Sequence, residues 1–133
     1  MVGKMSNFPM KFFFIFVNSP ESKVHHNSMN AGLRLALTLL MDEYEVHVLL
    51  TEKAIHLATK RDEDETEITD EEVSFTPYEL LEGLIEFGCH VMTCKSSLAL
   101  TGLKEDDIIE NIEILHLQNA TKIMINCDQV MVF

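Results

Sequence analysis

The sequence predicts an α/β protein: a three-layer α/β/α arrangement around a mainly parallel five-stranded sheet. Three observations lead there. Short β-rich apolar runs alternate with longer helical stretches along the whole chain, the signature of parallel strands joined by right-handed crossovers. The first run, Phe12 to Phe16, is apolar without alternation, as expected of a strand covered on both faces. A length of 133 residues suits one domain with a core of its own.

The elements follow in order. Residues 1–10 read as a loose tail, and 11–133 as a single domain. Lys11 to Val17 forms the first strand, and a polar loop, Asn18 to His26, follows it. Asn27 to Met41 reads as a helix in which Leu33, Leu37 and Leu40 share one face. Leu35, Ala36 and Leu39 widen that face, so the helix is expected to be deeply packed. Glu45 to Leu50 is the second strand and Glu52 to Thr59 a short helix. Arg61 to Glu72 is dense in Asp and Glu and reads as a solvated connector, or alternatively as a docking surface for a basic carrier protein. Pro77 in the first turn opens a helix over Tyr78 to Phe87, and Gly88 closes it. Cys89 to Thr93 is the third strand, with a short helix ending near Gly102. Ile112 to Leu115, Gln118 to Ile125 and Gln129 to Phe133 complete the pattern as strand, helix and strand.

Composition removes several function classes. The formal charge is −12, and no basic patch is present to neutralise phosphates, so nucleic acid is not an expected partner. No stretch approaches the length of a membrane span. Three cysteines, an odd number without a convincing secretion signal, argue for free thiols in a reducing cytoplasm. No glycine-rich phosphate loop, nucleophile elbow or diagnostic metal-ligand spacing occurs, so no cofactor and no metal are expected. His47, within a strand, and His56, within a helix, read as packing or surface residues.

Parallel strands sort the reactive side chains by edge. Cys94, the Asn18 to His26 loop with His25 and His26, and His116 all follow strands and share one edge, where open α/β sheets collect ligands. Cys89 opens its strand and Cys127 precedes one, so both fall at the other. Five extended residues separate Cys89 from Cys94, roughly 16 Å, too far for a disulfide. Cys94 meets the start of the next helix, whose free N–H groups favour a thiolate. Lys95 adds charge beside it. Ser96 and Ser97 read as helix caps whose hydroxyls and amides are also placed to hold a sulfur anion. A histidine from the shared edge is a potential proton acceptor for the thiol. The alternative reading of Cys94 is a small buried hydrophobe.

Four passages together resemble the DsrE/DsrF-like family, TusD-like sulfur-relay proteins among them. The first runs from the apolar strand through Asn18-Ser19-Pro20-Glu21 into Ala31-Gly32-Leu33-Arg34-Leu35-Ala36-Leu37. The second is Ala54-Ile55-His56-Leu57-Ala58-Thr59-Lys60. The third spans Gly88 through Cys94 to Gly102-Leu103, and the last is the ending Asp128-Gln129-Val130-Met131-Val132-Phe133. The resemblance implies a five-stranded parallel sheet, homo-oligomers or related hetero-oligomers, and cytoplasmic sulfur handling. It places Cys94 on the family's persulfide-carrying cysteine. Some relatives carry a second cysteine three positions on, where this chain has Ser97, which leaves a one-cysteine carrier. Other relatives lack the cysteine and serve as structural subunits. The expected function is thus a sulfur carrier or sulfurtransferase working with a donor or acceptor protein, the rival being a non-catalytic subunit or binding module. A peroxide-reducing thiol protein is a third reading, and it lacks a nearby resolving thiol.

Overall fold

Five strands hydrogen-bond in the order β4-β3-β2-β1-β5, every neighbouring pair parallel. The computed structural model describes residues 10–61 and 75–133. The acidic stretch from residue 62 and the first nine residues lie outside them. The elements are β1 (Lys11–Phe16), α1 (His26–Met41), β2 (Glu45–Leu50), a 3-10 segment (Glu52–Ala58) and α2 (Pro77–Glu86). Then come β3 (His90–Cys94), α3 (Lys95–Thr101), a 3-10 turn (Glu105–Asp107), β4 (Ile112–Leu115), α4 (Leu117–Ile125) and β5 (Gln129–Val132).

Alternation along the strands divides the core unequally between the two faces. Phe14, Phe16, Val46, Val48, Leu50, Val91 and Ile112 face a large core closed by α1, α2, the 3-10 segment and Leu98 of α3. On the other face Phe13, Leu49, Met92 and Leu115 pack with Ala120 of α4. Helices therefore lie on both sides of the sheet, as expected, but one side is thinly covered.

Local chemistry sets the helix ends. Thr76 and Glu79 form a reciprocal capping box on α2, with Pro77 in the first turn. Gly88 at φ +88° and Gly102 at φ +72° take the left-handed conformation just past α2 and α3. The expectation that α1 is deeply packed all round is corrected: Met29, Leu33 and Ala36 are buried, whereas Leu35 is 50 % exposed. Its apolar positions run beyond the arc that the sheet and α2 cover. The predicted helix after β2 is a 3-10 segment.

The chain end locks onto β1. Phe133 N–H donates to Ile15 O at 2.7 Å, Val17 N–H donates to Phe133 O at 3.0 Å, and the Phe133 ring stacks on Phe14 and Phe16. Helix α1 crosses this stack at Gly32. A Cβ there would lie 2.7 Å from the Phe16 ring and 2.8 Å from the Phe133 ring. Alanine gains about 1 kcal/mol over glycine in a helix interior, whereas overpacking a core costs about 1–3 kcal/mol or more. Gly32→Ala is therefore expected to lower the urea midpoint, and an unchanged or raised midpoint would show that the ring stack yields.

Candidate functional site

Cys94 is the last residue of β3 and the N-cap of α3, so the strand runs one residue further than predicted. It pairs with Leu115 of β4, and β2 lies on its other side. Thr51 leaves β2 at the same edge and delivers a second hydroxyl-bearing side chain to the sulfur. The thiol is 1 % exposed.

Three hydroxyls surround it. Ser97 Oγ lies 3.1 Å from Cys94 Sγ, Ser96 Oγ 3.3 Å, and Thr51 Oγ1 3.8 Å. Ser97 Oγ also accepts the Glu52 N–H at 2.9 Å and contacts Thr51 Oγ1 at 3.1 Å. A serine hydroxyl has a single hydrogen to give. With the Glu52 amide donating into its oxygen, Ser97 can direct that hydrogen at the sulfur, and Ser96 and Thr51 can do the same. Each donor in such a chain polarises the next.

The electrostatic balance follows. Burial alone raises the Cys94 pKa, but hydrogen bonds from the Ser96 and Ser97 side chains, the Ser97 backbone and Thr51 outweigh it and hold the thiol below its ordinary value. The other two thiols move the opposite way. Burial pushes Cys89 up to about 12, while burial and then the Glu45 carboxylate raise Cys127. Cys89 Sγ donates to Val46 O and Cys127 Sγ to Ile123 O, both at 3.4 Å.

The remaining residues singled out from sequence behave differently. Ser96 and Ser97 do not cap α3: its N-cap is Cys94, and both serine hydroxyls turn to the sulfur instead. Lys95 is exposed and is not among the groups that shift the thiol. His25 is the exposed N-cap of α1 and His116 the exposed N-cap of α4. Among the described residues, no hydrogen bond joins either ring to Cys94. His26 opens α1, and its side chain lies outside the description. Thr51 was missed, because only strand order reveals that β2 and β3 are neighbours. Glu52, which follows it, holds φ +52°, a strained backbone for a residue with a side chain, and its amide is fixed by Ser97.

A cleft of about 460 Å³ lies beyond the 3-10 segment at this edge, lined by Ser19, Lys53, His56 and Lys60, with Arg61 stacked at 3.6 Å on the Tyr78 ring. Among the described residues, no group of three or more His, Cys, Asp or Glu converges as a metal cage. No helix among them is long and apolar enough to cross a membrane.

A parallel α/β sheet with a hydroxyl-cradled thiol at its carboxyl edge defines the class of the molecule. The chain belongs to the DsrE/DsrF-like family, whose model matches residues 10–133. An uncharacterised protein of Methanocaldococcus jannaschii is 31% identical over 124 residues, covering 93% of this chain and all of that protein. An uncharacterised protein of Methanopyrus kandleri is 32% identical over 102 residues, covering 77% of this chain and 78% of that one. The crystal structure of the YchN protein from E. coli superposes with a TM-score of 0.73 at 20% identity, covering 93% of this chain and 99% of that one. The fold is therefore the DsrE-like fold.

Ser97→Ala tests the cradle. It strips the Glu52 N–H of its acceptor, a loss of about 1–3 kcal/mol for a buried group. It also raises the Cys94 pKa. A thiol whose folded pKa is depressed contributes stability that is fully present above the unfolded pKa and lost as pH falls through the folded one. The difference in urea midpoint between wild type and Ser97→Ala should therefore widen as pH rises toward the ordinary thiol pKa. A difference independent of pH would show that Ser97 does not act on the thiolate.

Proposed function

We propose that the protein is a cytoplasmic sulfur carrier in which Cys94 accepts sulfane sulfur and relays it to a partner protein. The observation that carries this reading is the ring of Ser96, Ser97 and Thr51 hydroxyls around the Cys94 sulfur, whose hydrogen bonds favour its ionised form. Family membership, which links the chain to sulfur relay, supports it. In the accepting step the Cys94 thiolate attacks the outer sulfur of a donor persulfide. A bond forms between the two sulfurs, the bond from that sulfur to the donor cysteine breaks, and the donor leaves as a thiolate. With thiosulfate the same attack releases sulfite. Charge and electrons balance in both cases, and no separate oxidant is consumed. The hydroxyls that hold the thiolate are placed to hold the persulfide anion after it.

Burial makes this a gated reaction. Thr51 lies against the sulfur from the β2 side and Glu52 is tied to Ser97, and the positive φ of Glu52 makes that turn a stored strain released by opening. Lys95, His25, His26 and His116 are assigned no step, because the hydroxyl network supplies the stabilisation they were expected to give. Self-association belongs to the same reading: Leu100, Ile125 and Val132 are large apolar side chains left exposed.

One observation favours a second reading. A thiol 1 % exposed suits a non-catalytic subunit of a DsrE-like assembly. Intact-mass spectrometry after incubation with thiosulfate or polysulfide separates the two. A sulfur carrier gains about 32 Da, the mass of one sulfur atom, on the peptide containing Cys94, and Cys94→Ser abolishes the gain. An unmodified Cys94 under both donors, with partner binding intact in Cys94→Ser, would leave only the scaffold.

A further inference from the structure

The chain carries a formal charge of −12 and only 10 lysines and arginines, yet three of them, Lys53, Lys60 and Arg61, line one cleft. Among the described residues of its lining, Glu21 is the sole carboxylate. An excess of one sign within a concave wall focuses the field and draws in ions of the other sign. In so acidic a protein, this concentration of positive charge is the local exception.

The lining is held in place. Ala54, Ile55, Leu57 and Ala58 bury one side of the 3-10 segment in the core, which leaves Lys53 and His56 to the cleft. The far end of the segment is pinned to the chain before β4. There Lys60 N–H donates to Asp107 O and Ile109 N–H donates to Ala58 O, both at 2.9 Å. Arg61 lies 3.6 Å over the Tyr78 ring, which holds the guanidinium to the wall. The Glu21 N–H donates to Ser19 Oγ at 3.2 Å, fixing the turn that carries this carboxylate.

Size and charge together select the ligand. A volume of about 460 Å³ falls within the range of small-molecule sites, roughly 300–1,000 Å³, and exceeds what a bare inorganic oxyanion fills. Each lysine meets a carboxylate as a point charge with three donors, so Lys53 and Lys60 can take one acidic group apiece. His56 adds a ring N–H in any of its protonation states. Glu21 repels a ligand made of acidic groups alone and suits one that also carries an ammonium.

The same segment leads to the thiol. Lys53 follows Glu52, whose N–H donates to Ser97 Oγ at 2.9 Å, and Ser97 Oγ lies 3.1 Å from Cys94 Sγ. We infer that the cleft binds a small acidic peptide-type thiol, carboxylates on Lys53 and Lys60 and ammonium on Glu21, in the persulfide form that loads Cys94. The loading step rests on the sulfur-carrier reading, whereas the binding site does not. In that step the Cys94 thiolate attacks the outer sulfur and a bond forms between the two. The bond from outer to inner sulfur breaks, and the small thiol leaves as a thiolate, so no oxidant is needed.

Nitrogen-15 NMR titration of the full chain with S-methylglutathione tests the site alone. This probe keeps two carboxylates and one ammonium and has no sulfur to give. The amide resonances of Lys53, His56 and Lys60 should shift together and saturate. Affinity should fall at least tenfold for the probe's dimethyl ester, and equally in the Lys53→Gln/Lys60→Gln variant. Both lysines are exposed, so the urea midpoint of that variant should match wild type. Glu21→Gln should weaken the probe several-fold and leave binding of its N-acetyl derivative unchanged. No saturable shift, equal binding of the ester, or unchanged affinity in the double variant would overturn the proposal. Glutathione persulfide then tests loading: sulfur gain on Cys94 at subsaturating donor should slow at least tenfold in the double variant. Sulfur gained from thiosulfate or polysulfide but not from glutathione persulfide would refute the loading step and spare the carrier. No sulfur from any of the three, with the probe still bound, would refute the carrier and spare the site.

Discussion

The Ser97 hydroxyl joins the two halves of the Cys94 site. It accepts the Glu52 amide at 2.9 Å and reaches the Cys94 sulfur at 3.1 Å, bridging the end of β2 to the end of β3. Remove that oxygen and the Glu52 turn loses its anchor while the thiol loses a principal donor. The sulfur is thereby ionisable although it is buried. Burial raises its pKa, and only the surrounding donors reverse the sign. Cys89 shows what burial does without them.

The sheet keeps its chemistry at opposite ends. The carboxyl edge holds a soft sulfur among hydroxyls. The amino edge holds imidazoles between carboxylates, on the face that α4 covers only in part. The heavier core on the other face, closed by α1, α2 and the Phe14–Phe16–Phe133 stack, gives both edges a rigid frame. Parallel register is the common cause. It brings Thr51, the residue that follows β2, to Cys94 and pairs His47 with His90.

Much of this was legible in the residues. Among the described residues, apolar runs and their spacing located the five strands and four α-helices, and Pro77, Gly88 and Gly102 marked helix boundaries through conformations that few other residues favour. The edge rule put Cys94 apart from Cys89 and Cys127, and the structure keeps them apart. What the sequence left hidden depends on which strands are neighbours. Thr51 and Glu52 appear only when β2 is known to lie beside β3. His47 read as packing because its partner His90 is 43 positions away. Ser96 and Ser97 read both as helix caps and as holders of a sulfur anion, and local geometry turns their hydroxyls to the sulfur. Leu35 shows the converse: an apolar pattern marks a helix without saying how much of its circumference the fold covers.

The central claim is that Cys94 ionises more readily than an ordinary thiol, beneath a turn that opens locally. The pH dependence of iodoacetamide alkylation, followed peptide by peptide in the folded protein, measures both parts together. The account predicts modification of Cys94 with a midpoint below the ordinary cysteine value of about 8.5, at a rate well above that of global unfolding, while Cys89 stays unmodified. Protection of Cys94 until the whole chain unfolds, or a midpoint at or above that of an ordinary thiol, would contradict it.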